Sequence, residues 1–212
     1  MKYNILLTGS QGTLGKEIAN KINTSKHNLY KHSFSENCDL QIDFSSIKEV
    51  KRAESLIKEK NINCLINNAG IYSNQNFTDL SEDEILSIFN VNLIAPVLLS
   101  QYVYKNTIKN NKEGLIININ SLAGKYPNYD EIIYSSSKFG LTGFSSCLSI
   151  NQKKSKIKVI DCHLGAMKTK MTSNKKNYDS MMNPDEIANF IVDLIESNNE
   201  YIVSSFEVRN SK

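Results

Sequence analysis

The chain has 212 residues, 40% apolar and 22% charged, an ordinary globular mixture sized for one domain with a sizeable core. A formal net charge of +3, with Lys and Asp/Glu interspersed, is too small to argue for nucleic acid or an anionic membrane surface. Met1–Leu7 is too short an apolar run for a signal peptide, and no apolar run has the length of a bilayer span. The cysteines Cys38, Cys64, Cys147 and Cys162 lack metal-like pairing, so a cytoplasmic protein with reduced thiols is expected.

Tyr3–Thr8 predicts a first strand and Gly12–Ile22 a helix, with Leu14, Ile18 and Ile22 repeating at helical spacing. Leu29–Phe34 and Leu40–Asp43 predict the next strands, the first of them weakly marked. Ser45–Lys60 is helical by period, with Ile47, Val50, Ala53, Leu56 and Ile57 on one face. Cys64–Asn67 reads as a short buried strand. Ser81-Glu82-Asp83-Glu84 reads as a capping box that opens a helix through Phe89, and a further helix runs from about Leu93 to Lys109. Leu115–Asn120 predicts a strand, Tyr134–Asn151 a helix and Ile157–Cys162 a strand. Asn183-Pro184-Asp185-Glu186 supplies a cap, a proline at the first helical position and acids near the positive helix end. That helix is expected to end near Asn198-Asn199, before a last strand at Tyr201–Phe206. Strands alternating with helices imply an α/β fold: a doubly wound parallel (Rossmann) sheet in a single domain, residues 1–212.

Two local patterns carry chemistry. Thr8, Gly9, Ser10, Gln11, Gly12, Thr13, Leu14 and Gly15 follow a strand and open a helix. Glycines there let backbone N–H groups and the helix N-terminus approach a pyrophosphate, although a ligand-free turn has the same composition. Further on, Tyr134 and Lys138 stand four apart on a helix and share a face. A neighbouring cation favours the phenolate, which would bring a tyrosine toward general acid–base duty. Chance is the alternative, but of the 10 tyrosines only Tyr134 has a lysine four positions later.

With Asn67-Asn68-Ala69-Gly70, Val91-Asn92-Leu93 and Ser121-Leu122-Ala123-Gly124 added in order, the chain resembles the short-chain dehydrogenases/reductases of the classical type, from Tyr3 to Phe206. The resemblance implies an NAD(P)-dependent oxidoreductase acting on a small carbonyl or alcohol. Tyr134 would be the general acid or base. Lys138 would hold the nicotinamide ribose and lower the tyrosine pKa, Ser121 would hydrogen-bond the substrate oxygen, and Asn92 would hold a water linking Lys138 to solvent. Asn68, Ala69 and Gly70 would line the cofactor, Asp43 and Phe44 would sit beside adenine, and Gly165, Met167 and Thr169 would lie near the nicotinamide. A homodimer or homotetramer is expected through the two helices at Leu93–Lys109 and Tyr134–Asn151. Taken singly, Ser121 could cap a loop and Asn92 could be a helix-end polar residue. Asn67 reads as structural, and His163 as an ordinary residue.

Three departures stand out. The middle glycine is Gly12 where the family usually has it at the position of Thr13. Leu164-Gly165 replaces the family's Pro-Gly. The segment from Thr169 to Asn183 is brief, which suggests a shallow or open pocket with a lining drawn from Ser73–Phe77, Lys125–Ile133 and Met167–Asp179. Cofactor choice reads as NADP(H) over NAD(H). The stretch Tyr30–Ser35 holds no acid, and Lys31, His32, Ser33, Ser35 and Ser10 could serve a 2′-phosphate unless Glu36 reaches the ribose. Two rival readings are a non-catalytic dinucleotide-binding regulator and, from the glycine spacing, a nucleotide-sugar isomerase or lyase.

Overall fold

The computed structural model describes residues 2–35, 38–150, 152–197 and 203–210. The strands are β1 (Asn4–Leu7), β2 (Asn28–Ser33), β3 (Leu40–Gln41), β4 (Cys64–Asn67), β5 (Gly114–Ser121), β6 (Ile157–Leu164) and β7 (Ser205–Val208). The α-helices are α1 (Thr13–Lys21), α2 (Ile47–Val50), α3 (Ala53–Glu59), α4 (Glu82–Phe89), α5 (Ala95–Lys109), α6 (Ile132–Ser149), α7 (Gln152–Ser155) and α8 (Pro184–Glu196). Among the described residues, the strands form one parallel sheet in the order β3-β2-β1-β4-β5-β6-β7.

Alternation along the strands sends side chains to two cores, one on each face. Ile5, Leu7, Ile66, Leu115 and Ile117 pack with Leu14 and Ile18 of α1 and with Ile187 and Ile191 of α8. Leu6, Leu65, Ile116 and Val159 pack on the other face with Ile57 of α3 and with Leu99 and Val103 of α5. The doubly wound reading therefore stands. Both caps form as well: the Ser81 hydroxyl accepts from Glu84 N at 3.3 Å, Glu84 Oε2 accepts from Ser81 N at 3.0 Å, and Asn183 Oδ1 accepts from Asp185 N at 3.1 Å.

Four boundaries differ from expectation. The helix over Ser45–Lys60 divides into α2 and α3, because i→i−3 bonds (Arg52 N to Glu49 O, Glu54 N to Lys51 O) tighten the chain between them. Conversely, α4 and α5 are one run, joined by a π-helical turn at Asn90–Ile94. The resulting Glu82–Lys109 helix is long and apolar enough, by length and composition, to cross a bilayer, contrary to the reading of the sequence. Its Val91, Leu99 and Val103 are core residues against the sheet. Strand β6 runs on through Leu164, which pairs with Ser121 on one side and Val208 on the other. A leucine keeps the N–H that the family's proline would lack. Strand β7 runs Ser205–Val208, two residues past the end expected at Phe206. Tyr201, the helix end expected at Asn198-Asn199, Asn151 and Glu36 lie outside the described residues.

Candidate active site

The chain winds outward from β1 to β3, then returns to lay β4 on the other side of β1. Sheets of this kind take ligands outside the carboxyl ends of the strands where the order reverses. A cleft of about 830 Å³ opens there. Its walls bring together Gly9, Gln11, Gly12, Thr13, Leu14 and Gly15 with Ser33, Asp43, Phe44, Asn68, Ala69 and Gly70, and with Ser121, Tyr134, Lys138, Gly165, Met167 and Thr169. These residues come from the ends of six strands, β1 to β6, and from α6, so it is the topology that brings them together.

At the β1 end the wall is backbone. Gly9 has φ +63°, and a Cβ there would sit 2.8 Å from Ala69 Cα. A Cβ on Gly15 would come within 2.2 Å of Gly9 O. Gly12 is the N-cap of α1 and provides no side-chain cap, which leaves the first-turn N–H groups to a ligand. This bare, anion-accepting cradle fits a dinucleotide pyrophosphate. Gly12 as cap, with Thr13 as the first helical residue, accommodates the shifted glycine spacing without positive φ at either position.

Thr8 and Ser10 do not line the cleft; they turn inward and hold the turn. The Thr8 hydroxyl accepts from Asn68 N at 2.9 Å and Ala69 N at 3.0 Å, and the Ser10 hydroxyl donates to His32 O at 3.0 Å. Asn68 joins this scaffold, its Nδ2 donating to Thr8 O and Gly9 O at 3.0 and 3.1 Å. His32 is also structural. It is buried, stacked on Phe44 with centroids 3.8 Å apart, and its Nε2 lies 3.0 Å from Ile42 O. Burial pushes its pKa down to about 4, against a raising contribution from Ile42, so it offers no cation to a 2′-phosphate. Lys31 and Ser35 do not line the cleft; His32 and Ser33 do.

At the β5 end the wall is side-chain chemistry. Ser121 closes β5, and Tyr134 and Lys138 lie on successive turns of α6 with Lys138 Nζ 5.7 Å from the Tyr134 ring centre. Lys138 is 5% exposed and donates to Ile119 O at 3.1 Å. Burial lowers its pKa to about 8, and Asp161 opposes that shift. The Tyr134 phenol moves the other way, up to about 12: burial raises it most, the Ser121 hydroxyl pulls it back, and Glu131 and Tyr72 raise it further. The expected lowering of the phenol by Lys138 is thus not what the site shows, because burial penalises the phenolate and weakens the cation at once.

Asn92 lies behind the wall. The π turn reorients it so that its side chain brackets one residue: Oδ1 accepts from Ile71 N and Nδ2 donates to Ile71 O, both at 2.9 Å, with Ser137 Oγ at 3.1 Å. Asn67 bridges strands as expected, donating to Asn118 Oδ1 at 2.7 Å.

Sequence reasoning missed two groups. His163 is fully buried, with Nδ1 3.3 Å from Ser121 O and Nε2 3.1 Å from Asp161 Oδ2. Asn120 Nδ2 reaches the same Asp161 oxygen at 3.3 Å, while Asp161 Oδ1 has no hydrogen-bond partner. The alternation in β6, with Asp161 and His163 on one face, was the available signal. The second is Tyr72 and its grouping with Lys175 and Glu131, which lie in two of the segments expected to line the pocket. The brief segment after Thr169 does not leave the cleft shallow: Lys170, Met171, Thr172 and Lys175 all line it, and the segment is pinned at its base by Lys168 N to Met182 O at 3.0 Å. Ser73, Gln75 and Phe77 line a separate small cavity instead.

The profile of the short chain dehydrogenases matches residues 3–179. The chain belongs to the short-chain dehydrogenase family. It is 32% identical to the 3-oxoacyl-(acyl-carrier-protein) reductase of Buchnera aphidicola (subsp. Schizaphis graminum), over 95% of this chain and 93% of that one. It is 31% identical to carbonyl reductase family member 4 of Xenopus laevis, over 74% and 71%. Among solved structures, a 4-hydroxyisoleucine dehydrogenase complexed with NADH superposes with TM-score 0.86 at 24% identity, covering 98% of this chain and 97% of that one. A gluconate 5-dehydrogenase, described as putative, from Beutenbergia cavernae with bound NADP gives 0.88 at 16% identity, over 98% and 95%. As a short-chain dehydrogenase the chain is an oxidoreductase with a nicotinamide cofactor.

Proposed function

We propose that the protein reduces a small carbonyl compound, with Tyr134 as proton donor, and oxidises the corresponding alcohol in reverse. The observation that carries this reading is that Ser121, Tyr134 and Lys138 share one cleft with the bare glycine cradle. A bound nicotinamide dinucleotide supplies the hydride to the carbonyl carbon or takes it back. Gly9, Gly12, Thr13 and Gly15 would take the pyrophosphate, Ser33, Asp43 and Phe44 the adenosine end, and Gly165, Met167 and Thr169 the nicotinamide end.

Tyr134 delivers its proton to the carbonyl oxygen as negative charge develops there. A phenol raised to about 12 is protonated at neutral pH and so has a proton to donate. The Ser121 hydroxyl hydrogen-bonds the same oxygen and the phenol, and Lys138 steadies the phenolate left behind. Asn92 acts indirectly, by fixing Ile71 at the cleft wall. The rival readings gain nothing: a regulator needs no phenol in the cleft, and no observation favours nucleotide-sugar chemistry.

For the cofactor, NADP(H) is the proposed preference. Its support is the uncharged end of β2, where Ser33 and Phe34 line the cleft and present no carboxylate to repel a 2′-phosphate. Assembly as a homodimer or homotetramer is proposed on the exposed apolar residues Ile94, Ile108 and Phe139 of the long helices.

The test is a panel of carbonyl compounds run with NADPH and NADH and read as nicotinamide absorbance, with dissociation constants for both in one buffer. Reduction cut by ~10²-fold or more in Tyr134→Phe, and tighter NADPH binding, are the expected results. Turnover near the wild-type rate in Tyr134→Phe overturns the mechanism, and equal or tighter NADH binding overturns the cofactor preference.

A further inference from the structure

Facing Tyr134 is a cation that the proposed reaction leaves unused. Lys175, in the segment between β6 and α8, places Nζ 2.7 Å from Glu131 Oε1 and 5.3 Å from the centre of the Tyr72 ring. Tyr72 meets Tyr134 edge to face, with centroids 5.5 Å apart. All four side chains line the same cleft. An ammonium has three donors, and Glu131 takes one of them. The Lys175 side chain keeps 39% of its surface exposed and Glu131 only 13%, so the carboxylate holds the ammonium while the ammonium remains open to the cleft.

Of the other cations of the wall, Lys138 is tied to Ile119 O, and Lys170 is placed at the glycine turn by its backbone amide, 3.4 Å from the Thr13 hydroxyl. Among the described lining residues the carboxylates are Glu131 and, at the far adenine end, Asp43. With Lys138, Lys170 and Lys175 against Asp43 and Glu131, the cleft lining carries an excess of cations that favours anions, and the Tyr72 ring touches both Lys175 and Tyr134.

We infer that the substrate is a short oxo or hydroxy acid whose carboxylate rests on Lys175 while its carbonyl or hydroxyl meets Tyr134. The Tyr72 ring centre lies 5.3 Å from Lys175 Nζ and 5.5 Å from the Tyr134 ring centre, a spacing that suits a few carbon atoms between carboxylate and carbonyl. Glu131 is the positioning residue that aims the ammonium. The inference rests on the reading of Tyr134 as proton donor.

The experiment compares acetoacetate and 4-oxopentanoate with their methyl esters, in wild type, Lys175→Met and Lys175→Arg. Wild type should prefer the acids. Lys175→Met keeps the apolar stem and should raise KM for the acids by about tenfold or more, the worth of one hydrogen bond to a charged group, with little change in kcat or in the esters. Lys175→Arg should restore most of the acid preference. Calorimetric binding of acetoacetate to Tyr134→Phe enzyme loaded with reduced cofactor gives a readout without turnover, and Lys175→Met in that background should abolish it. Esters used as well as acids by wild type, or acids and esters affected alike by Lys175→Met, overturn the inference. Turnover near the wild-type rate in Tyr134→Phe would instead overturn the proton-donor reading and leave the acid-against-ester comparison standing.

Discussion

At the β1 end of the cleft, Gly9 and Gly15 present backbone, and the polar side chains nearby, Thr8, Ser10 and Asn68, are turned inward to hold the turn in shape. At the β5 end the Tyr134 phenol, the Ser121 hydroxyl and the Lys138 ammonium are themselves the wall. The first end works because atoms are missing, and adding atoms should break it. The second works because particular protons and charges are present under burial, and removing them should break it while the fold survives.

The largest effect is expected at the second end. Tyr134→Phe retains the ring, its packing on Tyr72 and the helix, and loses only the hydroxyl. Turnover should fall by ~10²-fold or more, as for loss of a general acid, with cofactor affinity unchanged. Steady-state kinetics and a cofactor titration on the same preparation separate the two quantities.

Next is the glycine end. Gly15→Ala forces a Cβ to within 2.2 Å of the Gly9 carbonyl oxygen, and backbone must move to relieve it. Overpacking of this kind costs about 1–3 kcal/mol. The turn supplies the anion cradle, so cofactor affinity should fall by about tenfold or more and Tm should drop with it. Wild-type cofactor affinity in this variant would remove the turn from the binding site.

Lys138 tests whether the charged wall is held against the interest of stability. Its pKa is lowered to about 8 in the folded chain from 10.5. Between those values the unfolded chain keeps a proton that the folded chain has released, so stability rises with pH across that window. Below about pH 8 the folded chain carries the full cost of a buried ammonium. Lys138→Met should therefore gain stability at pH 7, on the order of 1 kcal/mol after the lost bond to Ile119 O is counted, and the gain should vanish as pH approaches 10.5. Thermal melts of both proteins from pH 6 to about 10 show it, while cofactor binding and turnover fall.

At both ends of the cleft the sequence made local features legible and long-range ones not. Cys64–Asn67, the Ser81 capping box and the Asn183-Pro184 helix start were readable because each is decided within a few residues. The glycine turn and the Tyr134–Lys138 pair were readable for the same reason. The π turn that joins α4 to α5 has no composition of its own, and the break between α2 and α3 is a shift in hydrogen bonding inside an unbroken apolar period. The inward roles of Thr8, Ser10 and His32 depend on which way a side chain turns at a strand end. Lys175 and Glu131 are 44 residues apart and meet only because β6 lies beside β5 in the sheet. The phenol's raised pKa was missed because spacing reports a neighbouring cation but not the burial that outweighs it.

The smallest expected effect lies where the two ends touch. The Lys170 amide reaches the Thr13 hydroxyl at 3.4 Å, the one contact described between the glycine turn's first helical residue and the segment that covers the substrate chamber. Thr13→Val removes the hydroxyl and keeps the shape. A hydrogen bond of that length is worth less than the usual ~1 kcal/mol, so substrate KM should rise by about twofold, with cofactor affinity unmoved. If cofactor affinity falls as far as it does in Gly15→Ala, the Thr13 hydroxyl is itself a phosphate ligand, and the β1 end is not a backbone cradle alone. If KM for the oxo acids rises and that for their esters does not, the covering segment is aiming Lys175, and Thr13 belongs functionally to the opposite end of the cleft.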